Sequence, residues 1–386
     1  MSTTADKPTY NRKNPCIARL KETWELTVGC EEKDTRHFTI DLADSGLEYL
    51  PGDSLAVLPE NCPEVADALL AQLGFSGDEP VTPAGAEAPK PIRAAFIENC
   101  VITTPDKKII KAIAEKTGDA GASLAALLDP EKKAELSDYL WGREIIDLLA
   151  EYPTARFEPQ EFVDLLKKLN IRLYSISSSL QAHPAEVHLT VATVEYQSHG
   201  RQRKGVCSTW LAQRIDEDTT IPCFISPGKG FRLPEPDDAT PIVMVGPGTG
   251  IAPFRAFLEH RKATAAQGKA WLFFGEIHEA STYFYRDEFE AYLADGTLER
   301  IDTAFSRDQA EKVYVQHRIL EAGEELYKWL EDGAIVYVCG DAARMAGDVD
   351  KALHQVIAEQ GGKSAEEAAA YVEQMKADKR YRRDVY

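Results

Sequence analysis

The residues able to do chemistry in this sequence sit where apolar runs give way to small or charged side chains. PIVMVGPGTGIAPFRAFLEHR (Pro241–Arg261) carries an apolar strand into a Gly-Pro-Gly-Thr-Gly turn and then a helix. Gly246, Gly248 and Gly250 let the backbone approach a phosphate, and the helix start offers amide N–H groups to it. The spacing departs from the usual dinucleotide fingerprint, and a tight structural turn reads the same way. RLYSISSS (Arg172–Ser179) sets Arg172 and Tyr174 on one face of a strand. A guanidinium can clamp a pyrophosphate and a tyrosine ring can stack on a flat ring, while Ser175 points the other way or to a ring edge. An ordinary strand with a core tyrosine fits that string too. In KGVCSTWLAQRI (Lys204–Ile215), Gly205 precedes a helix whose first amides, of Val206, Cys207 and Ser208, suit a second phosphate. A plain helix start is the other reading.

AFSRDQAEKVYVQHRI (Ala304–Ile319) gathers Ser306, Arg307, Lys312, Tyr314 and Gln316 after a strand. Cations beside a hydroxyl suit a 2′-phosphate, which bears about two negative charges, and so select NADPH over NADH. AIVYVCGDAARMAGDVDKAL (Ala334–Leu353) ends a strand on Cys339, followed by Gly340 and Asp341, where open α/β sheets bind ligands. A buried structural cysteine fits there equally. The string KRYRRDVY puts aromatic Tyr386 behind a basic run, as a lid over a ring or as a frayed tail.

Elements must hold these residues in place. Residues 1–15 read as a flexible arm. From Cys16 to about Leu58 the pattern is strand-like, with LEYLPGDSLAVLPEN (Leu47–Asn61) as a hairpin or barrel corner. Helical spacing takes over at about 62–168, broken by the loop EPVTPAGAEAPKP. Strands return at RLYSISSS, at EVHLTVATVEY (Glu186–Tyr196) and at PCFISPG (Pro222–Gly228). After the linker Pro234–Pro241, apolar strands alternate with helices, among them one near Val315–Lys328, as in a doubly wound parallel sheet. The expected fold class is β + α/β: an antiparallel barrel over 16–235 with the helical insertion, then a parallel-sheet domain over 236–386.

Bulk properties narrow the field. The 386 residues exceed one ordinary core, and 44% hydrophobic and 28% charged residues are globular values. A formal net charge of −19 argues against nonspecific binding to nucleic acid or anionic membrane. The N-terminus lacks the apolar stretch of a secretory signal, and no run is long enough to span a bilayer, so the cytoplasm is expected. The seven cysteines show no C-x-x-C, so neither a metal site nor an iron–sulfur cluster is expected.

Taken in order, these strings resemble the ferredoxin–NADP reductase superfamily, in particular its diflavin reductase branch and the flavoprotein subunits of NADPH–sulfite reductases. The resemblance runs from about Tyr10 to Tyr386 and includes RYRRDVY. It implies an FAD-binding barrel, an NADP-binding domain, and hydride transfer from NADPH to FAD. It implies flavin contacts from Thr103, from Arg172, Leu173, Tyr174 and Ser175, from Thr190, Val191, Ala192 and Tyr196, from Gly205, Val206, Cys207 and Ser208, and from a stacked Tyr386. For NADP it implies Gly248, Thr249, Ser306, Arg307, Lys312, Val313, Tyr314, Val315, Gln316 and Asp348. Ser175, Cys339, Asp384 and Tyr386 correspond to the group around hydride transfer. Gly347 stands where the family often has Lys.

The branch usually begins with a flavodoxin-like FMN domain. This sequence starts just before the linker that follows that domain, so FMN is not expected. The implied acceptor is a protein: a sulfite reductase haemoprotein, or, for a stand-alone reductase, a flavodoxin or ferredoxin. A flavin-holding docking subunit that no longer oxidises NADPH is the reading of another class; the intact Ser306–Gln316 run argues against it.

Overall fold

The computed structural model describes residues 9–386. In chain order, strands β1 (Cys16–Glu25), β2 (Thr35–Asp41) and β3 (Ser54–Val57) come first. Helices α1 (Pro63–Leu73), α2 (Ile92–Glu98), α3 (Lys107–Thr117), α4 (Ala122–Ala126), α5 (Lys133–Leu140), α6 (Ile145–Glu151) and α7 (Pro159–Leu165) follow. Two-residue strands β4 (Pro80–Val81) and β5 (Lys90–Pro91) lie within the stretch expected to be a loop. Then come β6 (Arg172–Ser175), β7 (Glu186–Ala192), β8 (Glu195–Ser198), β9 (Arg201–Lys204), α8 (Val206–Gln213) and β10 (Thr220–Ser226). The rest is β11 (Ile242–Val245), α9 (Ala252–Ala263), β12 (Ala270–Glu276), α10 (Glu279–Thr282), α11 (Arg286–Asp295) and β13 (Arg300–Phe305). It ends with α12 (Val315–Glu321), α13 (Gly323–Glu331), β14 (Ile335–Gly340), α14 (Met345–Gly361), α15 (Ala365–Ala377) and β15 (Tyr381–Val385).

The chain divides into two compact units. One comprises the chain up to Val57, Leu173–Thr193 and Asp216–Tyr386; the other comprises Leu58–Arg172 and Val194–Ile215. In the first unit a six-stranded sheet has the order β6-β3-β10-β1-β2-β7. The bridge Ile176↔Leu189 joins its two ends, so the sheet closes as a barrel. Pro51 and Gly52 turn a corner into β3 rather than closing a hairpin, because β3 pairs with β10. Gly52 has φ +91°, and a Cβ there would lie 1.9 Å from the Phe231 carbonyl oxygen, so only glycine fits. Of the expected arm, residues 1–8 lie outside the described residues. Beyond them Asn11 and Asn14 pair through their backbones, and the Tyr10 hydroxyl donates to Ser45 O at 3.0 Å.

The same unit holds a parallel five-stranded sheet in the order β13-β12-β11-β14-β15. Its central strands are apolar on both faces because helices cover both. Val243, Val245, Trp271 and Phe273 pack with α12–α15, whereas Ile242, Met244, Leu272 and Phe274 pack with α9 and α11. Three expectations are corrected. The helix near Val315–Lys328 is two helices, broken at Ala322. EVHLTVATVEY splits at Thr193, whose amide turns to Asp34 O at 2.7 Å, into β7 and a separate hairpin strand, β8. The terminal RYRRDVY is neither lid alone nor frayed tail: Tyr381–Val385 form the parallel edge strand β15.

The second unit is the helical insertion with the β8–β9 hairpin and α8. α3 starts at a legible cap: the Asp106 carboxylate accepts from the amides of Lys108 (2.9 Å) and Ile109 (3.1 Å). Ile109, Ile110, Ile113 and Ala114 then turn one face of α3 into the core. Arg203 on β9, 2% exposed, donates to Glu144 (3.0 Å), Asp147 (2.6 Å) and Gly142 O (3.1 Å). Arg203→Met leaves two carboxylates without their buried cation and is expected to cost about 3–5 kcal/mol. Urea unfolding of the variant against the parent measures it.

Candidate functional site

The parallel strands end together, and a cavity of about 430 Å³ opens over the C-terminal ends of β11, β12, β13 and β14. The turn after β11 closes one side. A Cβ on Gly250 would stand 2.2 Å from Cys339 O, so the turn lies against the end of β14 only because it is glycine. Of the residues expected at NADP, Gly248, Ser306, Tyr314, Val315, Gln316 and Asp348 line this cavity. Ser306 is fixed at the end of β13 by its amide, which donates to Glu276 O at 2.9 Å. Thr249, Arg307, Lys312 and Val313 do not line it. The Arg307 guanidinium pairs with Glu32 at 2.5 Å, and Val313 packs against the core beneath α12. Lys312 is exposed on the connection before α12.

Lys33, Glu276 and Arg344 also line the cavity, and the sequence reading singled out none of them. Lys33, on the connection between β1 and β2, makes an ion pair with the nearly buried carboxylate of Glu276. That pair joins residues far apart in the chain, which no local pattern reveals. Gly347 has open space where a Cβ would stand, so its lack of a side chain is not a packing requirement.

A polar group lies where β14 and β15 run side by side. Their register sets Cys339 opposite Asp384, and the Ser175 hydroxyl donates to Asp384 Oδ2 at 3.1 Å. Burial raises the Asp384 carboxyl above the ordinary carboxylate range, and the Ser175 hydrogen bond opposes that rise. Burial, then the Asp384 charge, holds the Cys339 thiol well above its usual pKa. Tyr386 is anchored by its backbone, N to Gly340 O at 3.1 Å, and its hydroxyl meets Thr249 Oγ1 at 3.0 Å. The structure thus brings Ser175, Cys339, Asp384 and Tyr386 to one end of the parallel sheet.

The residues matched to flavin contacts fall in both units. In the first, Leu173, Tyr174 and Ser175 follow one another on β6, with Leu173 54% exposed. Thr190 and Val191 are buried on β7; the Thr190 hydroxyl bonds the Tyr285 hydroxyl at 2.6 Å, and Ala192 is half-buried. In the second, Arg172 is exposed and Thr103 is half-buried with its carbonyl taken by the Ile145 amide. Tyr196 stands on the β8–β9 hairpin, 51% exposed, so it shares no strand with Thr190–Ala192. Gly205, Val206, Cys207 and Ser208 form the first turn of α8, where helix amides lack acceptors within the helix. The Cys207 and Ser208 side chains are buried, and Ser208 Oγ accepts from Val194 N at 3.1 Å, so this turn presents backbone. In the first unit the large side chains of Leu173 and Tyr386 are left uncovered, as suits a flat ring; in the second, the first turn of α8 offers backbone suited to phosphate.

Comparison with known proteins agrees in kind. Residues 8–210 match the family model of the FAD binding domain, and residues 244–351 match that of the oxidoreductase NAD-binding domain. The sulfite reductase [NADPH] flavoprotein alpha-component of Bacillus subtilis (strain 168) is 45% identical over 377 residues, 98% of this chain and 62% of that protein. The protein of the same name from Mannheimia succiniciproducens is 44% identical with the same coverage. That of Vibrio parahaemolyticus serotype O3:K6 is 44% identical over 98% of this chain and 59% of its own length. The chain spans about six tenths of the length of these curated relatives.

Cys339 is fully buried and held as a thiol, whereas Cys30 is half-buried. Under native conditions at neutral pH, iodoacetamide is expected to label Cys30 well before Cys339, with peptide mass spectrometry as the measurement.

Proposed function

Because the chain belongs to the FAD binding domain family and carries an oxidoreductase NAD-binding domain after it, the arrangement of ferredoxin–NADP reductase-like diflavin reductases, we propose that it is an NADPH-dependent flavoprotein reductase serving a protein acceptor. The observation that carries this reading is one turn with two duties. Gly248 lines the nucleotide cavity, and its neighbour Thr249 holds the hydroxyl of Tyr386 beside the Ser175–Asp384 pair. A nucleotide entering that cavity meets the aromatic residue that must give way to its nicotinamide.

When bound, FAD supplies the chemistry that accepts a hydride from NADPH and passes electrons on. The chain's own residues bind, orient and exclude water. Ser306, Arg307 and Lys312 take the 2′-phosphate, and Tyr314 and Gln316 the adenosine side. The glycine turn accommodates the pyrophosphate, with Arg344 as a cation that lines the same cavity. Arg172 and the first turn of α8 hold FAD phosphate oxygens, while Leu173, Tyr174 and Tyr386 contact its ring. Ser175 orients the Asp384 carboxyl, and buried Cys339 stays an uncharged thiol beside it.

The relatives' names carry the choice of acceptor: the proposed partner is the haemoprotein that reduces sulfite, in the cytoplasm. Among the described residues no helix is long and apolar enough to cross a membrane.

Anaerobic spectra test the reading first. The purified chain is expected to show flavin bands from released FAD, bleached rapidly by NADPH and poorly by NADH. A protein that cannot be reconstituted with FAD, or a flavoprotein inert to NADPH, sinks it. Ser306→Ala with Arg307→Ala should raise KM for NADPH at least about tenfold, the loss expected for hydrogen bonds to a charged group, and leave NADH little changed. Ser175→Ala removes the hydrogen bond that holds Asp384 down, so the carboxyl moves further up. The acid limb of the kcat/KM profile should then shift to higher pH.

A further inference from the structure

We propose that Glu32 is a built-in competitor for the 2′-phosphate: its carboxylate occupies the Arg307 guanidinium until a phosphorylated nucleotide displaces it. This rests on the reading that Arg307 takes the 2′-phosphate.

Glu32 lies on the connection between β1 and β2, away from every nucleotide motif in the sequence. Its Oε1 pairs with Arg307 Nη1 at 2.5 Å, and its Oε2 lies 3.6 Å from His278 Nε2. On the far side, His278 Nδ1 and Asp308 Oδ1 are 2.8 Å apart, and Asp308 also accepts from the Glu279 amide at 2.7 Å. Glu32 therefore enters an ordered rim.

The connection that carries Glu32 is held as well. At its base the Leu26 amide donates to Thr35 O (2.7 Å), and buried Thr27 Oγ1 accepts from Thr35 N (3.0 Å). The Cys30 amide closes a turn on Thr27 O at 2.9 Å. Two residues before β2, and next to Glu32, Lys33 is ion-paired with Glu276, which also accepts from the Ile277 amide at 3.0 Å. A backbone held at its base and beside Glu32 presents that residue to Arg307 from a defined position.

Carboxylate and phosphate monoester offer the same kind of oxygen pair to a guanidinium, and the phosphate carries more charge. The phosphate can therefore displace the carboxylate, but it must do so against a negative neighbour. A nucleotide without a 2′-phosphate has no use for Arg307 and leaves the pair intact. Glu32 accordingly weakens binding of the phosphorylated nucleotide alone and, by reclaiming Arg307, favours release of NADP⁺.

Isothermal titration of the full chain with 2′,5′-ADP and with 5′-AMP, at fixed ionic strength, tests this without turnover. Glu32→Gln keeps the side chain's size and removes its charge. It is expected to tighten 2′,5′-ADP about two- to fivefold, the range for pairs exposed as this one is, and to leave 5′-AMP unchanged. Unchanged or weaker 2′,5′-ADP binding, or equal tightening of both ligands, overturns the proposal. Arg307→Ala separates it from the reading beneath: if that variant binds 2′,5′-ADP as the parent does, the Arg307 assignment falls and the proposal with it. If Arg307→Ala weakens the ligand while Glu32→Gln does not tighten it, only the proposal falls. In the Arg307→Ala background, Glu32→Gln should lose most of its effect, because the pair it breaks is already gone.

Discussion

Arg255 on α9 carries a charge into the interior between the barrel and the helices of the parallel sheet, and such a charge is tolerable only when fully paired. It donates to Ser177 O at 2.8 Å and to Glu288 at 2.8 and 2.9 Å, lies 2.9 Å from Glu259, and stands over the Tyr285 ring at 4.8 Å. Ser177 is two residues past Ser175 on the barrel, and α9 begins directly after the glycine turn that lines the cavity. One guanidinium thus ties the strand bearing Ser175 to the helix that presents the turn. Without that tie the hydrogen bond from Ser175 to Asp384 would have no fixed reach.

The shell around Arg255 shows how the charge is accommodated. Ser178 Oγ meets the Tyr49 hydroxyl at 2.7 Å and accepts from His188 N at 2.9 Å, and the Ser179 amide donates to Glu259 at 2.8 Å. Tyr285 adopts φ +58°, costly for a bulky residue, and its hydroxyl is held by His37 at 3.0 Å and Thr190 at 2.6 Å. Burial lowers His188 to about 4, and burial with the Arg255 charge lowers His37 further, so both rings stay neutral beside the cation. His183 is the exception: its hydrogen bond to Glu259 raises its pKa. In this knot the charge of Arg255 is therefore balanced by Glu259 and Glu288.

Much of this architecture was readable because its signals are local. Apolar strands such as IVMV and WLFF, buried on both faces, announce a parallel sheet, and the glycine turn follows its strand directly. RYRRDV, by contrast, has basic residues where an edge strand meets solvent, so it reads as a lid or a tail although Tyr381 and Val385 pack inward. The break at Ala322 was hidden because apolar spacing continues across it into α13. In the site, the string Ser306–Gln316 pointed to the cavity, but Lys33 reaches Glu276 across 243 positions and Arg255 sits inside what reads as an amphipathic helix. Ser177–Ser179 looked like small strand residues, yet all three are sealed in the knot. Pairing across such distances leaves no periodic trace.

The separation of Ser175 from Asp384, 209 positions along the chain, bears on how the pair is assembled. Closing so long a span costs chain entropy before any contact rewards it, and folds rich in such pairings form slowly. The edge partner β15 reaches β14 through the crossover of α14 and α15, so the donor–acceptor pair exists only once β15 lies beside β14. The polar pair is thus a product of the completed sheet: a chain whose edge strand has not docked cannot form it.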